Sequence, residues 1–354
     1  ALTGPSGLDS EVMADLVRQV CQVRDASGEV LLVTSGAIAA GRSALGQNRE
    51  EMGHDISSRQ VFAAVGQSRL MHTYQEMFAT HGAQVAQTLL TIADLSDRQS
   101  YLNVGNTLQR LLELGVVPVV NENDAIADDE IRFGDNDRIA ALVAHLVDAA
   151  TLVLLTDTPG LFTADPRMDS EASLIEEIIE IDKELEGLAG SAGSVRGSGG
   201  MASKLAAAKI ASWSGVRTVI ADAGRAGVMV DACDGAPGVG TVVHARDSDL
   251  GARRLWIAFA VGSSGRVQVD AGARRALEER RVSLLPAGVV GVEGTFDVGD
   301  AVEVTAPTGA VFAKGMVRHD SALLRAHMGL RTPDLPEGMA HEVIHADDLV
   351  VLPA

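Results

Sequence analysis

Two segments of this sequence carry small residues in the pattern that lets backbone approach an anion. The run Thr34-Ser35-Gly36-Ala37-Ile38-Ala39-Ala40-Gly41 directly follows the apolar stretch Val30–Val33. N–H groups at the start of a following helix favour a negatively charged ligand. A tight strand-to-helix turn explains the same residues equally well. The second segment is Ser198-Gly199-Gly200-Met201-Ala202-Ser203-Lys204, where a glycine-rich turn opens a helix with Lys204 one turn inside it. Backbone N–H groups and the helix dipole suit phosphate oxygens, and the lysine can neutralise a phosphoryl group in transit. Its spacing is not that of a Walker A loop.

Two further loops add carboxylates and amides. Asn121-Glu122-Asn123-Asp124 closes the apolar run Val116–Val120, and Gly134-Asp135-Asn136-Asp137 comes ten residues on. This mixture suits a zwitterion: carboxylates pair an ammonium, while amides and N–H groups hold a carboxylate. Helix capping accounts for Asp135 alone, and the spacing of a calcium loop is absent. The polar stretch Thr156 to Arg167, with Pro159 and Pro166, succeeds another apolar run, Thr151–Leu155.

These segments need a scaffold that gathers them. Ser10 to Arg24 places Val12, Leu16, Val20 and Val23 on one helical face, with Ser10 suited to cap it. Val30–Val33 reads as a strand buried on both faces. Helices are predicted over 58–79, 102–114, 136–147 and 201–213, and strands over 83–90, 116–120, 151–155 and 217–220. Such β–α alternation predicts a three-layer α/β/α arrangement on a mainly parallel sheet, whose strand carboxyl ends collect ligands. After His244 the texture changes. A polar linker over 245–254 leads to strand-like runs at 256–260, 266–269, 288–292, 301–304, 311–313 and 341–351, with one helix at 272–280. This reads as a mainly β, barrel-like domain of about a hundred residues.

At 354 residues the chain exceeds what one core usually organises, so two domains are expected. Its 46% hydrophobic content marks a folded protein. It shows no apolar run of roughly 18 residues and no charged-apolar-small leader, so a soluble cytoplasmic protein is expected. Cys21 and Cys233 make neither a disulfide framework nor a zinc site, and Cys21 reads as a buried thiol. A formal charge of −19 argues against a dominant nucleic-acid or anionic-membrane role. It leaves a local pocket for one anion open.

Five segments together resemble a known family: TSGAIAAG at 34–41, AAVGQSRLM at 63–71, VVNENDAIADDEIRFGDND at 119–137, LLTDTPGLFTADPR at 154–167 and SGGMASK at 198–204. They occur in the order and spacing of gamma-glutamyl (glutamate 5-) kinases, within the amino acid kinase superfamily. From about residue 250, Arg254-Leu255-Trp256-Ile257 and Ser283 to Gly288 resemble the PUA domain appended to many of these kinases. The resemblance implies an amino acid kinase domain over 1–246 and a PUA domain over 247–354. It implies that Ser35, Asp124 and Asn136 contact L-glutamate and that Asp137 organises the reaction centre. Thr156 and Asp157 match nucleotide contacts, and Ser198, Gly199, Gly200, Met201, Ala202, Ser203 and Lys204 match the phosphate-facing loop. Lys204 and Asp137 are thus the expected catalytic pair. ATP is the implied phosphoryl donor, with Mg2+ carried mainly by its phosphates and no dedicated protein metal site. The implied product is gamma-glutamyl phosphate, the first intermediate of proline biosynthesis, with proline as a feedback inhibitor and a homo-oligomer, dimer or tetramer, as the assembly.

There are departures. The family's first strand ends in a Lys-x-Gly-[ST]-[ST] segment. This sequence opens at Ala1-Leu2-Thr3-Gly4, which resembles the residues just after that segment in the family. In the family the segment supplies a central strand and part of the phosphate clamp. Ile92 and Gly105 stand where relatives often carry arginine or other polar residues. Competing readings are a kinase acting on aspartate or acetylglutamate, and an RNA-binding protein acting through the C-terminal domain. For the latter, Arg253, Arg254, Arg274, Arg275, Arg280 and Arg281 are candidates, although solvated helix faces account for them better in so acidic a chain. A metal site at His341, His345, Asp347 and Asp348 is disfavoured, because the two histidines would lie about 13 Å apart along a strand.

Overall fold

The computed structural model describes residues 2–4, 7–46, 56–126, 135–191, 200–246 and 250–352. The chain forms two compact units, 1–249 and 250–354. The first begins with a short ribbon, β1 (Thr3–Gly4) and β2 (Gly7–Leu8), then α1 (Ser10–Ser27), β3 (Leu32–Val33), α2 (Ala37–Ala44), α3 (Ile56–Ala79) and β4 (Val85–Leu90). It continues through α4 (Ile92–Ser96), α5 (Arg98–Glu113), β5 (Val117–Glu122), α6 (Asp135–Leu146), β6 (Thr151–Thr156), β7 (Glu177–Ile178) and α7 (Lys183–Ser191). Last come α8 (Met201–Trp213), β8 (Arg217–Asp222), α9 (Val228–Asp234) and β9 (Thr241–Val243).

Two sheets result. One is parallel, ordered β3-β5-β4, and the other is ordered β6-β8-β9-β7 with β8 and β9 antiparallel. Helix α1 serves both. Its buried face of Met13, Val17, Val20 and Cys21 packs with Leu32 and Val119 of the first sheet and Leu155 of the second. Gln19, also on α1, accepts a hydrogen bond from the Met229 N–H at the start of α9 (3.0 Å).

Several expectations need correction. The cap of α1 is Asp9, whose carboxylate accepts from the N–H groups of Glu11 and Val12, so Ser10 is already helical. Both residue types cap well, and position alone decides between them. The segment 30–33 forms only a two-residue strand, half-buried throughout, which among the described residues pairs with β5 alone at the edge of its sheet. Strand β5 runs two residues beyond the expected end, so Asn121 and Glu122 belong to the ladder. Gly41 is small for a packing reason: a Cβ there would overlap the Phe62 carbonyl of α3, and one on Gly66 would overlap that of Ala37. Gly105 packs against Leu146, and Ile92 is buried.

The second unit begins with α10 (Ala252–Leu255), so the expected linker ends in helix, and runs directly into a π-helical turn over Trp256–Ala260. That turn was expected to be a strand; a five-residue apolar run carries no period that distinguishes the two. It continues through β10 (Gly265–Val269), α11 (Ala271–Arg280), β11 (Val289–Gly294), β12 (Ala301–Thr305), β13 (Val311–Val317), α12 (Ser321–His327) and β14 (Ile344–Val351). The five strands form one sheet ordered β11-β10-β12-β13-β14 over a core that includes Val267, Leu277, Phe296, Val304 and Ile344. Because β14 starts at Ile344, His341 lies outside it and does not share a strand face with His345. Asp348 instead pairs with Arg253 at 2.7 Å. Arg274 pairs with Glu278 and lies over the Phe312 ring, so it is already engaged within its own unit.

Candidate active site

The first turns of α6 and α8 bring the key carboxylate and ammonium together. Asp137 Oδ1 accepts from Lys204 Nζ at 2.9 Å, with both side chains largely buried. Asp137 Oδ2 lies 2.7 Å from Ser203 Oγ, which is also 2.8 Å from the Gly200 carbonyl. A hydroxyl has one proton, and the carboxylate is the stronger acceptor. Ser203 and Lys204 lie 66 and 67 positions from Asp137 in sequence, so only the packing of α6 on α8 makes the cluster.

Helix α8 starts at Gly200 with extended backbone and, among the described residues, no side-chain cap. The N–H groups of Ser203 and Lys204 reach the Gly200 carbonyl (3.0 and 3.3 Å). Those of Met201 and Ala202 head the helix, where donors and dipole together suit an anion. Helix α2 repeats the device: Gly36, in left-handed backbone at φ 111°, precedes it without a side-chain cap, and the exposed Ser35 stands beside it. The turn is seated by Thr34, whose N–H donates to the Val120 carbonyl and whose hydroxyl lies 2.7 Å from the buried Tyr74 hydroxyl.

Between the two helix starts runs a chain of amides. Asn136, next to Asp137 on α6, donates from Nδ2 to Asn121 Oδ1 (3.1 Å) and accepts at Oδ1 from the Glu122 N–H (3.1 Å). Asn121, 1% exposed at the end of β5, donates to Gln67 Oε1 on α3 (2.8 Å). Sequence reasoning assigned no role to Gln67 and none to Asn121 individually, although both lie inside the segments that carry the family resemblance. Asp124 sits in the turn just after β5, where Ile126 N–H bonds the Asn123 carbonyl.

Thr156 ends β6 and the exposed Asp157 follows it, their side chains 3.3 Å apart. The segment beyond folds back as a hairpin in which Phe162 bridges Leu174. It is anchored by the buried Thr241, which accepts from the Leu161 N–H (2.8 Å) and donates to the Ile175 carbonyl (2.7 Å). The structure therefore unites Asp137, Ser203 and Lys204 directly, with Asn136 next to Asp137 on α6, places Thr156 at the last position of β6, and sets Ser35, Asp124 and Asp157 on strand-end loops. Ser198, Gly199 and Gly134 lie outside the described residues.

Strand-end loops, the uncapped starts of α2 and α8, and a lysine–aspartate pair joining α8 to α6 fit a phosphotransferase of the amino acid kinase class. Residues 2–222 match the model of the amino acid kinase family, and residues 265–336 match that of the PUA domain. The chain is 45% identical to glutamate 5-kinase of Moorella thermoacetica over 96% of its length and 90% of that protein's. It is also 45% identical to that of Herpetosiphon aurantiacus, over 98% and 94%. A solved carbamate kinase from Giardia lamblia bound to AMP-PNP covers 67% of the chain, and 89% of its own length is matched, at 18% identity and TM-score 0.46. The chain belongs to the glutamate 5-kinase family. Among the described residues no helix is long and apolar enough to cross a membrane.

Proposed function

We propose that this protein transfers the γ-phosphoryl group of ATP to the side-chain carboxylate of L-glutamate, giving gamma-glutamyl phosphate and ADP. The observation that carries the reading is the Lys204–Asp137 pair at the joined starts of α6 and α8. A glutamate carboxylate, with an ordinary pKa of about 4.3, is ionised at neutral pH and needs no general base. One carboxylate oxygen bonds to the γ-phosphorus as the bond to the β-phosphate oxygen breaks. Catalysis then rests on alignment and on neutralising charge.

Lys204 meets the migrating phosphoryl group, and Asp137 fixes the ammonium without taking a proton. Met201 and Ala202 N–H groups, with the preceding residues 198–200, hold phosphate oxygens. Thr156 and Asp157 contact the nucleotide. Ser35, Asp124 and Asn136 bind glutamate, and the amide-rich chain through Asn136 suits its carboxylate. Mg2+ fits as a companion of the nucleotide, because the donors gathered here are N–H groups and one ammonium, which complement phosphate oxygens. It would spread charge on the phosphates when bound. The kinase domain is assigned to 1–246 and the PUA domain to 247–354. The family resemblance extends the reading to proline as a feedback inhibitor and to a homo-oligomer.

Trapping the acyl phosphate with hydroxylamine tests the reading. L-glutamate, L-aspartate and acetylglutamate are compared at equal concentration with ATP and magnesium. Strong hydroxamate formation with L-glutamate alone is expected. Folded protein giving none with any of the three would overturn the acyl-phosphate chemistry.

A further inference from the structure

We propose that Gln67 is a positioning residue that sets the direction of the amide chain presenting Asn136 to the amino-acid substrate. This deepens the reading above and rests on its assignment of Asn136 to glutamate. The Glu122 N–H can only donate, and it faces both Asn121 Oδ1 (2.9 Å) and Asn136 Oδ1 (3.1 Å). That single donor fixes the orientation of both amides. Asn121 must turn its oxygen to Glu122 and Asn136, and so its Nδ2 towards α3. There it needs an acceptor, which Gln67 Oε1 supplies at 2.8 Å. Asn136 in turn spends one Nδ2 hydrogen on Asn121 and, among the described residues, keeps a second for a ligand oxygen.

Gln67 meets this demand at a cost to itself. Its Nε2 is buried and has no hydrogen-bond partner among the described residues. Buried donors are nearly always matched, so a residue that leaves one unmatched is explained by what its other end does. A methionine of similar length would remove that donor but leave Asn121 Nδ2 without an acceptor, moving the fault onto the substrate-facing chain. A glutamate would accept, but would place a negative charge beside a site for an anionic amino acid. Glutamine accepts, stays neutral and keeps its length. Its backbone is held in place as well, because the adjoining Gly66 packs directly on the first turn of α2.

The test uses Gln67→Met, Asn136→Ala and the double variant in the full-length protein, with KM for each substrate, kcat and melting temperature measured. Gln67→Met is expected to raise KM for glutamate about tenfold while KM for ATP stays within twofold. The double variant should raise it no further than Asn136→Ala alone, since both changes break one chain. A KM for glutamate within twofold of wild type, equal shifts for glutamate and ATP, or additive effects would each overturn the role. Wild-type hydroxamate formation with glutamate separates this failure from failure of the functional reading. If wild type instead prefers aspartate or acetylglutamate, the same comparison on that substrate's KM decides the role of Gln67.

Discussion

Each unit of this molecule contains a buried lysine anchored to a hydrogen-bond acceptor, and the two do different work. Lys204 is 9% exposed and Lys314 is 8% exposed. Lys204 meets the Asp137 carboxylate, at the open start of a helix whose leading N–H groups have no side-chain cap. Lys314, on β13, donates to the Val261 carbonyl, which ends the π-helical turn of the second unit. An ammonium beside a helix start adds positive charge where a helix is already positive; Asp137 offsets the ammonium, and the leading N–H groups of α8 still suit a further anion. An ammonium at the end of a helical turn satisfies carbonyls and complements the dipole, which is a structural act complete in itself. Burial is the same in both; what the charge faces differs.

The most direct way to break this comparison is Lys204→Ala. Turnover is expected to fall by more than about tenfold, since the ammonium proposed to face the migrating phosphoryl group is lost. Steady-state rates well below the melting temperature, on protein shown to be folded, check it. Unchanged turnover would put Lys204 in the same structural role as its counterpart. Lys314→Met runs the opposite way: the Val261 carbonyl loses its donor, and the second unit should lose about 1–3 kcal/mol of stability. Chemical denaturation followed at Trp256, which belongs to that unit, measures this. Its turnover should stay within twofold of wild type; a loss matching that of Lys204→Ala would erase the distinction.

The sequence made one half of this contrast legible. Lys204 is visible because a glycine-rich turn, a helix start and a lysine are contiguous, and α8 begins at Met201 as expected. The strand-end loops were legible too, since apolar runs followed by polar clusters mark both strand and site. Lys314 had no such signal, because its partner is a carbonyl 53 residues away at the end of a helical turn expected to be a strand. Gln67 and Asn121 are likewise distant, by 54 positions, and on α3 alone Gln67 reads as an ordinary polar helix residue. Contiguous chemistry can be read directly; chemistry assembled by packing waits for the fold.

A third buried polar group sharpens the point that burial alone does not mark function. Tyr74 is fully buried beneath the Ser35 turn, against Thr34. Burial pushes its phenol up to about 12, outweighing the Thr34 hydrogen bond, which lowers it. The phenol is neutral when protonated, and the folded chain holds that proton beyond the unfolded value of about 10. Its contribution is therefore intact below about pH 10 and is lost as pH rises through about 12. Tyr74→Phe should cost about 1 kcal/mol at neutral pH and flatten the alkaline decline. Denaturation at about pH 8 and about pH 11, on either side of the unfolded value, checks both. A decline as steep as that of wild type would detach it from Tyr74.

The smallest effect is expected at Ser203. Its hydroxyl and the Lys204 ammonium hold opposite oxygens of the Asp137 carboxylate, so the pair is gripped from both sides by one turn of α8. Ser203→Ala removes the neutral partner and leaves the charged one. The ion pair then keeps its attraction but gains freedom to rotate about the Lys204 contact. A hydrogen bond to a charged group is typically worth about 1.5–3 kcal/mol when wholly lost. Here Asp137 lies at a helix start that can recruit water, so turnover should fall only about three- to fivefold, with KM for glutamate unchanged. A loss as large as that of Lys204→Ala would mean that the hydroxyl itself faces the phosphoryl group. No loss at all would mean that the lysine alone fixes Asp137, leaving charge as the whole of what separates this site from the lysine of the second unit.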